Sequence, residues 1–245
     1  PQPGIAEVAF VPAIPGVSGR WNTGVVLVSK SLTDPSACLR AEDIHEDFPP
    51  TSKKRNGIGR GIALELWRQG AHIVVLSNQP ENLVKLKKEY PSIEIACVDL
   101  LNCEKTRETV DSLGTFDGLV NSAGICILES FFECSPKSFD MTMALNVRAI
   151  LNVSQIVAKK MIENNIKGSI VNISSQASIA ALKDHTAYCA SKSAVDSLTR
   201  VMALELGPHG IRANTVNPTV IMTDMGRKVW ADPAKSQVWR STRSC

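Results

Sequence analysis

From Asn56 onward the chain alternates short β-branched runs with amphipathic helical stretches, and this rhythm constrains the fold more than any other feature. Strand-like runs occur at 72–77, 93–98, 118–121, 169–175 and 212–216. Helical patterns fall between them at 62–69, 80–89, 104–113, 136–161 and 187–206. Apolar residues at 58, 62, 63 and 66 share one face of the first helix, and Phe139, Met143, Val147 and Ile150 form a stripe on the fourth. Pro136 suits the first turn of that helix, while Gly70 and Gly207-Pro208 stop others. Strands joined through helices run parallel, because the crossover returns the chain to the same end of the sheet. The expected fold class is therefore α/β, a doubly wound parallel sheet covered by helices on both faces. No internal repeat is visible.

The 245 residues, 44% hydrophobic and 21% charged, suffice for one domain with a substantial core. A net charge of +3 is too small to point to nucleic acid or an anionic membrane. No nucleic-acid partner, membrane span or signal segment is expected. Seven cysteines are scattered without CxxC spacing or a histidine placed to suggest a zinc site, so no metal site is expected. An odd set of thiols fits a reducing compartment, and the expected location is cytoplasmic.

Residues 1–55 do not share the rhythm and read as an atypical, largely irregular segment. Seven of the 13 prolines precede Thr51, each removing a backbone donor and opposing helix. Only 24–29, Gly-Val-Val-Leu-Val-Ser, has the length and β-branching of a buried strand. The bases Lys53, Lys54 and Arg55 read as a solvated loop.

Several residues could carry chemistry. Gly57, Gly59 and Gly61 open a helix, where bare backbone and N–H donors suit a phosphate, although glycines also serve close packing. In a dinucleotide fold the strand ending at Ser77 would meet the adenosine ribose. Ser77 and Asn78 offer neither the acid that excludes a 2′-phosphate nor an arginine that holds one, and the missing acid favours NADP(H) over NAD(H). Asp99 is an adenine contact or a cap. Asn121-Ser-Ala-Gly124 would let a flat ring approach the backbone, and Asn146, inside an apolar helix, must be paired. Tyr188 and Lys192, four apart, share a helix face, a spacing that is most often structural. If it is functional, the ammonium should lower the pKa of the phenol, and Ser175 could join them.

Taken in order, Gly57-x-Gly59, Asp99-Leu100, Asn121-Ser-Ala-Gly124, Asn146, Ser175, Tyr188-x-x-x-Lys192 and Asn217-Pro218 resemble the short-chain dehydrogenase/reductase family across 57–237. The runs at 173–178, 185–192, 202–209 and 217–223 are similar to members of that family that reduce ketoses and dicarbonyls. The resemblance implies a single-domain Rossmann-type sheet and hydride transfer between NADP(H) and a small-molecule carbonyl. It implies Tyr188 as general acid, Ser175 polarising the carbonyl oxygen, Lys192 holding ribose hydroxyls and Asn146 supporting a water. Cofactor contacts are implied at Gly57, Ile58, Gly59, Ser77, Asn78, Asp99, Leu100, Asn121, Ala123 and Gly124. Further ones are implied at Tyr188, Lys192, Pro218, Val220 and Thr223. Ser175, Gln176, Leu182, His185 and Trp230 would meet substrate, with His185 reading equally well as a loop histidine. Family members are commonly homotetramers.

Two departures stand beside these matches. Residues 48–56, Phe-Pro-Pro-Thr-Ser-Lys-Lys-Arg-Asn, occupy the place of the family's first strand and glycine turn, with Lys53 where the first glycine belongs. The run 25–29 resembles the displaced strand and is expected to fill the central slot. The helix and strand that end the family pattern are missing, so the core is expected over 56–237 with an unstructured tail at 238–245. An altered cofactor loop and a truncated end make a catalytically impaired nucleotide-binding or interaction protein the alternative to an active reductase.

Overall fold

The structure is a computed structural model that describes residues 24–29, 57–219 and 221. Six strands, β1 (Val25–Ser29), β2 (His72–Ser77), β3 (Glu94–Cys97), β4 (Gly118–Asn121), β5 (Ser169–Ile173) and β6 (Arg212–Val216), form one sheet in the order β3-β2-β1-β4-β5-β6. The helices are α1 (Gly57–Arg68), α2 (Pro80–Glu89), α3 (Cys103–Ser112), α4 (Pro136–Met143), α5 (Ala149–Glu163) and α6 (Thr186–Leu206). Apart from β1, neighbouring strands are parallel wherever a helix joins them: β2 with β3, β4 with β5, and β5 with β6.

The sheet is mixed rather than wholly parallel. β1 lies at its centre but runs antiparallel to both neighbours, with Val25 opposite Leu76 and Asn121, and Val28 opposite Ile73 and Gly118. A βαβ unit forces parallel pairing only when a short loop hands the strand directly to its helix. Here residues 30–56 separate β1 from α1, so that constraint is absent. What remains is the side-chain requirement. Val25, Val26 and Leu27 are at most 1% exposed, and an unbroken apolar run suits a strand covered on both faces in either direction.

Alternation along the strands divides the core in two. Val26, Val28, Ile73, Val75 and Val120 face Ile62 and Leu66 of α1 and Leu83 and Leu86 of α2. Val25, Leu27, Leu76, Leu119 and Ile170 face Ile150, Val153 and Val157 of α5 and Val195 of α6.

The long helical stretch runs from Pro136 to Glu163, but a wider π turn, Ala144–Arg148, divides α4 from α5. An i→i+5 turn shifts the phase of everything beyond it. The expected stripe through Phe139 and Ile150 consequently breaks: Phe139 is 38% exposed, whereas Leu145, Ala149, Ile150 and Val153 are buried. By length and composition this stretch could cross a bilayer, but 61% of its most apolar window is buried in the fold, as befits a core helix.

Candidate active site

The carboxyl-terminal end of β5, the start of α6 and the π turn bring the four expected catalytic residues together. Ser175 follows β5 in an extended conformation and caps a short 3₁₀ turn, its Oγ accepting from the Ala177 N–H at 3.1 Å. Its side chain is also near enough to the Tyr188 phenol, in the first turn of α6, to favour the ionised form. One turn further on, Lys192 is 4% exposed and donates from Nζ to the Ile173 carbonyl at 2.8 Å. Its ammonium lies 5.6 Å from the centre of the Tyr188 ring.

Asn146 sits in the π turn, fully buried. Its Oδ1 accepts from the Ile125 N–H at 2.8 Å, and its Nδ2 donates to the Ile125 carbonyl and the Ser191 hydroxyl, both at 2.9 Å. This reciprocal pair pins the chain just past Gly124. A Cβ on Gly124 would lie 3.2 Å from Asn146 Oδ1 and 3.7 Å from Lys192 Nζ, so a glycine keeps the space beside the lysine clear.

Burial sets the protonation of the pair. It pushes the Tyr188 phenol up to about 12, with the Cys126 and Cys189 thiols adding to the rise and the nearby Ser175 side chain opposing it. The expected lowering of the phenol by Lys192 is therefore not found; loss of hydration dominates. Burial also brings Lys192 down to about 8, against Cys126 and Asp196, which favour the charged form. At neutral pH the phenol holds its proton and the lysine remains mostly charged.

The other expected cofactor residues divide into two groups. Gly57 begins α1 at φ +68°, a conformation suited to glycine, with Ile58 beside it. Gly59 packs closely: a Cβ there would fall 3.1 Å from Ser122 Oγ. Ser77 closes β2, with Asn78 exposed beyond it. Gly59 and Ser77 line a cleft together with Gly24, Arg60, Asn82 and Lys85 and the apolar Val26, Val75, Leu83 and Leu86. Bare glycines at α1 and beside Lys192 fit a dinucleotide lying along the strand ends.

The second group is structural in its contacts. Asp99 accepts from the Leu101 N–H at 3.1 Å and so braces its own turn, and Leu100 is 4% exposed. Asn121 turns inward and donates to Ser154 Oγ at 3.0 Å and Asn172 Oδ1 at 2.8 Å. Ala123 is buried.

On the substrate side, His185 is buried next to Tyr188, with ring centres 6.1 Å apart and its Nδ1 2.6 Å from the Lys183 carbonyl. Leu182 is half-buried and accepts from the His185 N–H at 3.2 Å. The Gln176 N–H donates to the Pro218 carbonyl at 3.0 Å. Val220, Thr223 and Trp230 lie outside the described residues, as does the C-terminal tail. No group of potential metal ligands occurs among the described residues.

Two supporting residues were not anticipated. Asp196 receives the Asn217 amide at 3.0 Å, and that amide also reaches the Ser178 hydroxyl at 2.9 Å, tying β6 to the Ser175 turn. Asp196 lies four residues beyond Lys192, so its helical spacing was a usable signal. Glu129 accepts from Ser138 Oγ at 2.8 Å while its N–H donates to the Asp184 carbonyl at 2.9 Å, fixing the loop that carries His185. No sequence pattern announces that contact.

Residues 54–234 match the family profile described as short chain dehydrogenase. An L-xylulose reductase of Mesocricetus auratus is 50% identical over 182 residues, covering 74% of this chain and 75% of the relative. A D-erythrulose reductase of Gallus gallus is 49% identical over 180 residues, covering 74% and 73%. Among solved structures, a gluconate 5-dehydrogenase from Burkholderia cenocepacia in complex with NADP and tartrate superposes with a TM-score of 0.70 at 30% identity, covering 74% of each chain.

Proposed function

Because the chain belongs to the short-chain dehydrogenase family, we propose that it reduces the carbonyl of a small ketose or α-dicarbonyl with NADPH as reductant. The observation that carries this reading is the Tyr188 phenol with Ser175 near it and the buried Lys192 5.6 Å from its ring centre, next to the cleared backbone of Gly124. The 2-keto sugars in the names of two relatives indicate the substrate class. NADP in the gluconate dehydrogenase complex agrees with the missing acid after β2.

When bound, the nicotinamide supplies hydride to the carbonyl carbon. Tyr188 gives its phenolic proton to the carbonyl oxygen, so that C=O becomes CH–OH and the phenol becomes phenolate. Ser175 donates a hydrogen bond to the same oxygen as charge grows on it, a contribution of about 3 kcal/mol if it resembles a single oxyanion donor. Lys192 has one N–H committed to Ile173; the other two would be available to the ribose hydroxyls of a bound cofactor and to the phenolate. Asn146 acts through Ile125, holding the neighbouring Gly124 backbone in place.

The test is NADPH oxidation with diacetyl or L-xylulose. We expect turnover by the natural chain and its loss in Tyr188→Phe with NADPH binding preserved. Binding without turnover in the natural chain would instead support the silent nucleotide-binding alternative.

A further inference from the structure

We infer that Lys85, helped by Arg60, selects the 2′-phosphate of the cofactor from the side of α2. This rests on the NADPH reading above and supplies the charge that the residues after β2 lack. Ser77 and Asn78 are neutral, so discrimination between the two nicotinamide dinucleotides needs a cation from elsewhere. The cleft beside Ser77 has two cations in its wall, Arg60 from the first turn of α1 and Lys85 from the second turn of α2. Gly24, at the start of the reversed β1, and Gly59 add bare backbone to the wall, and the apolar Val26, Val75, Leu83 and Leu86 line the rest beside Ser77 and Asn82.

The two cations are not equivalent. Arg60 is paired with Glu89, and its guanidinium lies 5.8 Å from the Tyr90 ring centre, so its charge is largely compensated and its position held. Lys85 makes no ion pair with any described residue and is exposed, and no acidic side chain lines the cleft among the described residues. A dianionic phosphate on the ribose would bring Lys85 the counter-charge it lacks. A ribose hydroxyl offers no such gain. Lysine serves this purpose as a mobile point charge on a long stem, which does not require the fork geometry of arginine.

The test compares binding of 2′,5′-ADP and 5′-AMP, which differ only in that phosphate, to the full-length chain by calorimetry at low salt. We expect 2′,5′-ADP to bind at least about tenfold tighter than 5′-AMP. Lys85→Gln should remove most of that advantage while leaving 5′-AMP unchanged; Lys85→Arg should retain it. If both nucleotides bind and Lys85→Gln changes neither affinity, or weakens both equally, the assignment is overturned and the cofactor reading stands. If the natural chain binds neither nucleotide nor NADPH, the cofactor reading falls and the 2′-phosphate site falls with it.

Discussion

At Lys192 and Tyr188 the same physical cause, loss of hydration, moves two pKa values in opposite directions. Lys192 falls to about 8 from 10.5. Between those values the unfolded chain binds more protons than the folded one, so this residue makes stability rise with pH across that window. Tyr188, raised to about 12 from 10.0, does the reverse above pH 10. Urea midpoints measured from pH 7 to 10 should climb in the natural chain, with a shallower climb in Lys192→Met. Carbonyl reduction should also decline as pH passes about 8, because the ammonium that stabilises the phenolate is then lost. The natural kcat profile should show that limb, and Lys192→Arg should flatten it. The gathering of these residues was legible because Ser175, Tyr188 and Lys192 lie close in sequence and repeat a known spacing. The phenol's pKa was not, since Cys126 and the burial that raises it arrive from another part of the chain.

Among the elements, the π turn at Ala144–Arg148 and the strand β1 departed most from sequence expectation. A regular 3.6-residue period would continue straight through 144–148, and nothing local marks the extra residue. Its reason is tertiary: Asn146 must reach both backbone groups of Ile125. Asn146→Leu would strand a buried N–H and a buried carbonyl, and should cost about 1–3 kcal/mol per group left unpaired, read as a lowered urea midpoint. β1 was legible as a buried strand from its unbroken apolar run, but its direction was not, because apolarity carries no polarity of chain. Leu27 is fully buried, so Leu27→Ala should cost about 2–5 kcal/mol in the same assay. A much smaller loss would mean that β1 is not an integral part of the sheet.

For the whole molecule, alternation of strands and helices was enough to predict five strands, their helices and a parallel sheet, which the pairs β2–β3, β4–β5 and β5–β6 bear out, but not the strand order. The mixed character of the sheet came from the one strand without its own short crossover. The strand ends carrying Gly24, Ser77, Asn121 and Ser175 nevertheless meet at one edge, where a long ligand would bridge several elements at once. NADPH should accordingly raise the melting temperature with the logarithm of its concentration above Kd, by the equivalent of about 2.7 kcal/mol at a hundredfold excess. Scanning calorimetry with and without cofactor checks this. β1 has a consequence for the order of assembly as well. Val25 pairs with Leu76 and Asn121, far downstream, so during synthesis the strand waits until both partners have emerged. Until it docks, β2 and β4 each keep an open row of backbone donors and acceptors, and a free peptide with the sequence of 24–29 would compete for that gap in the nascent chain.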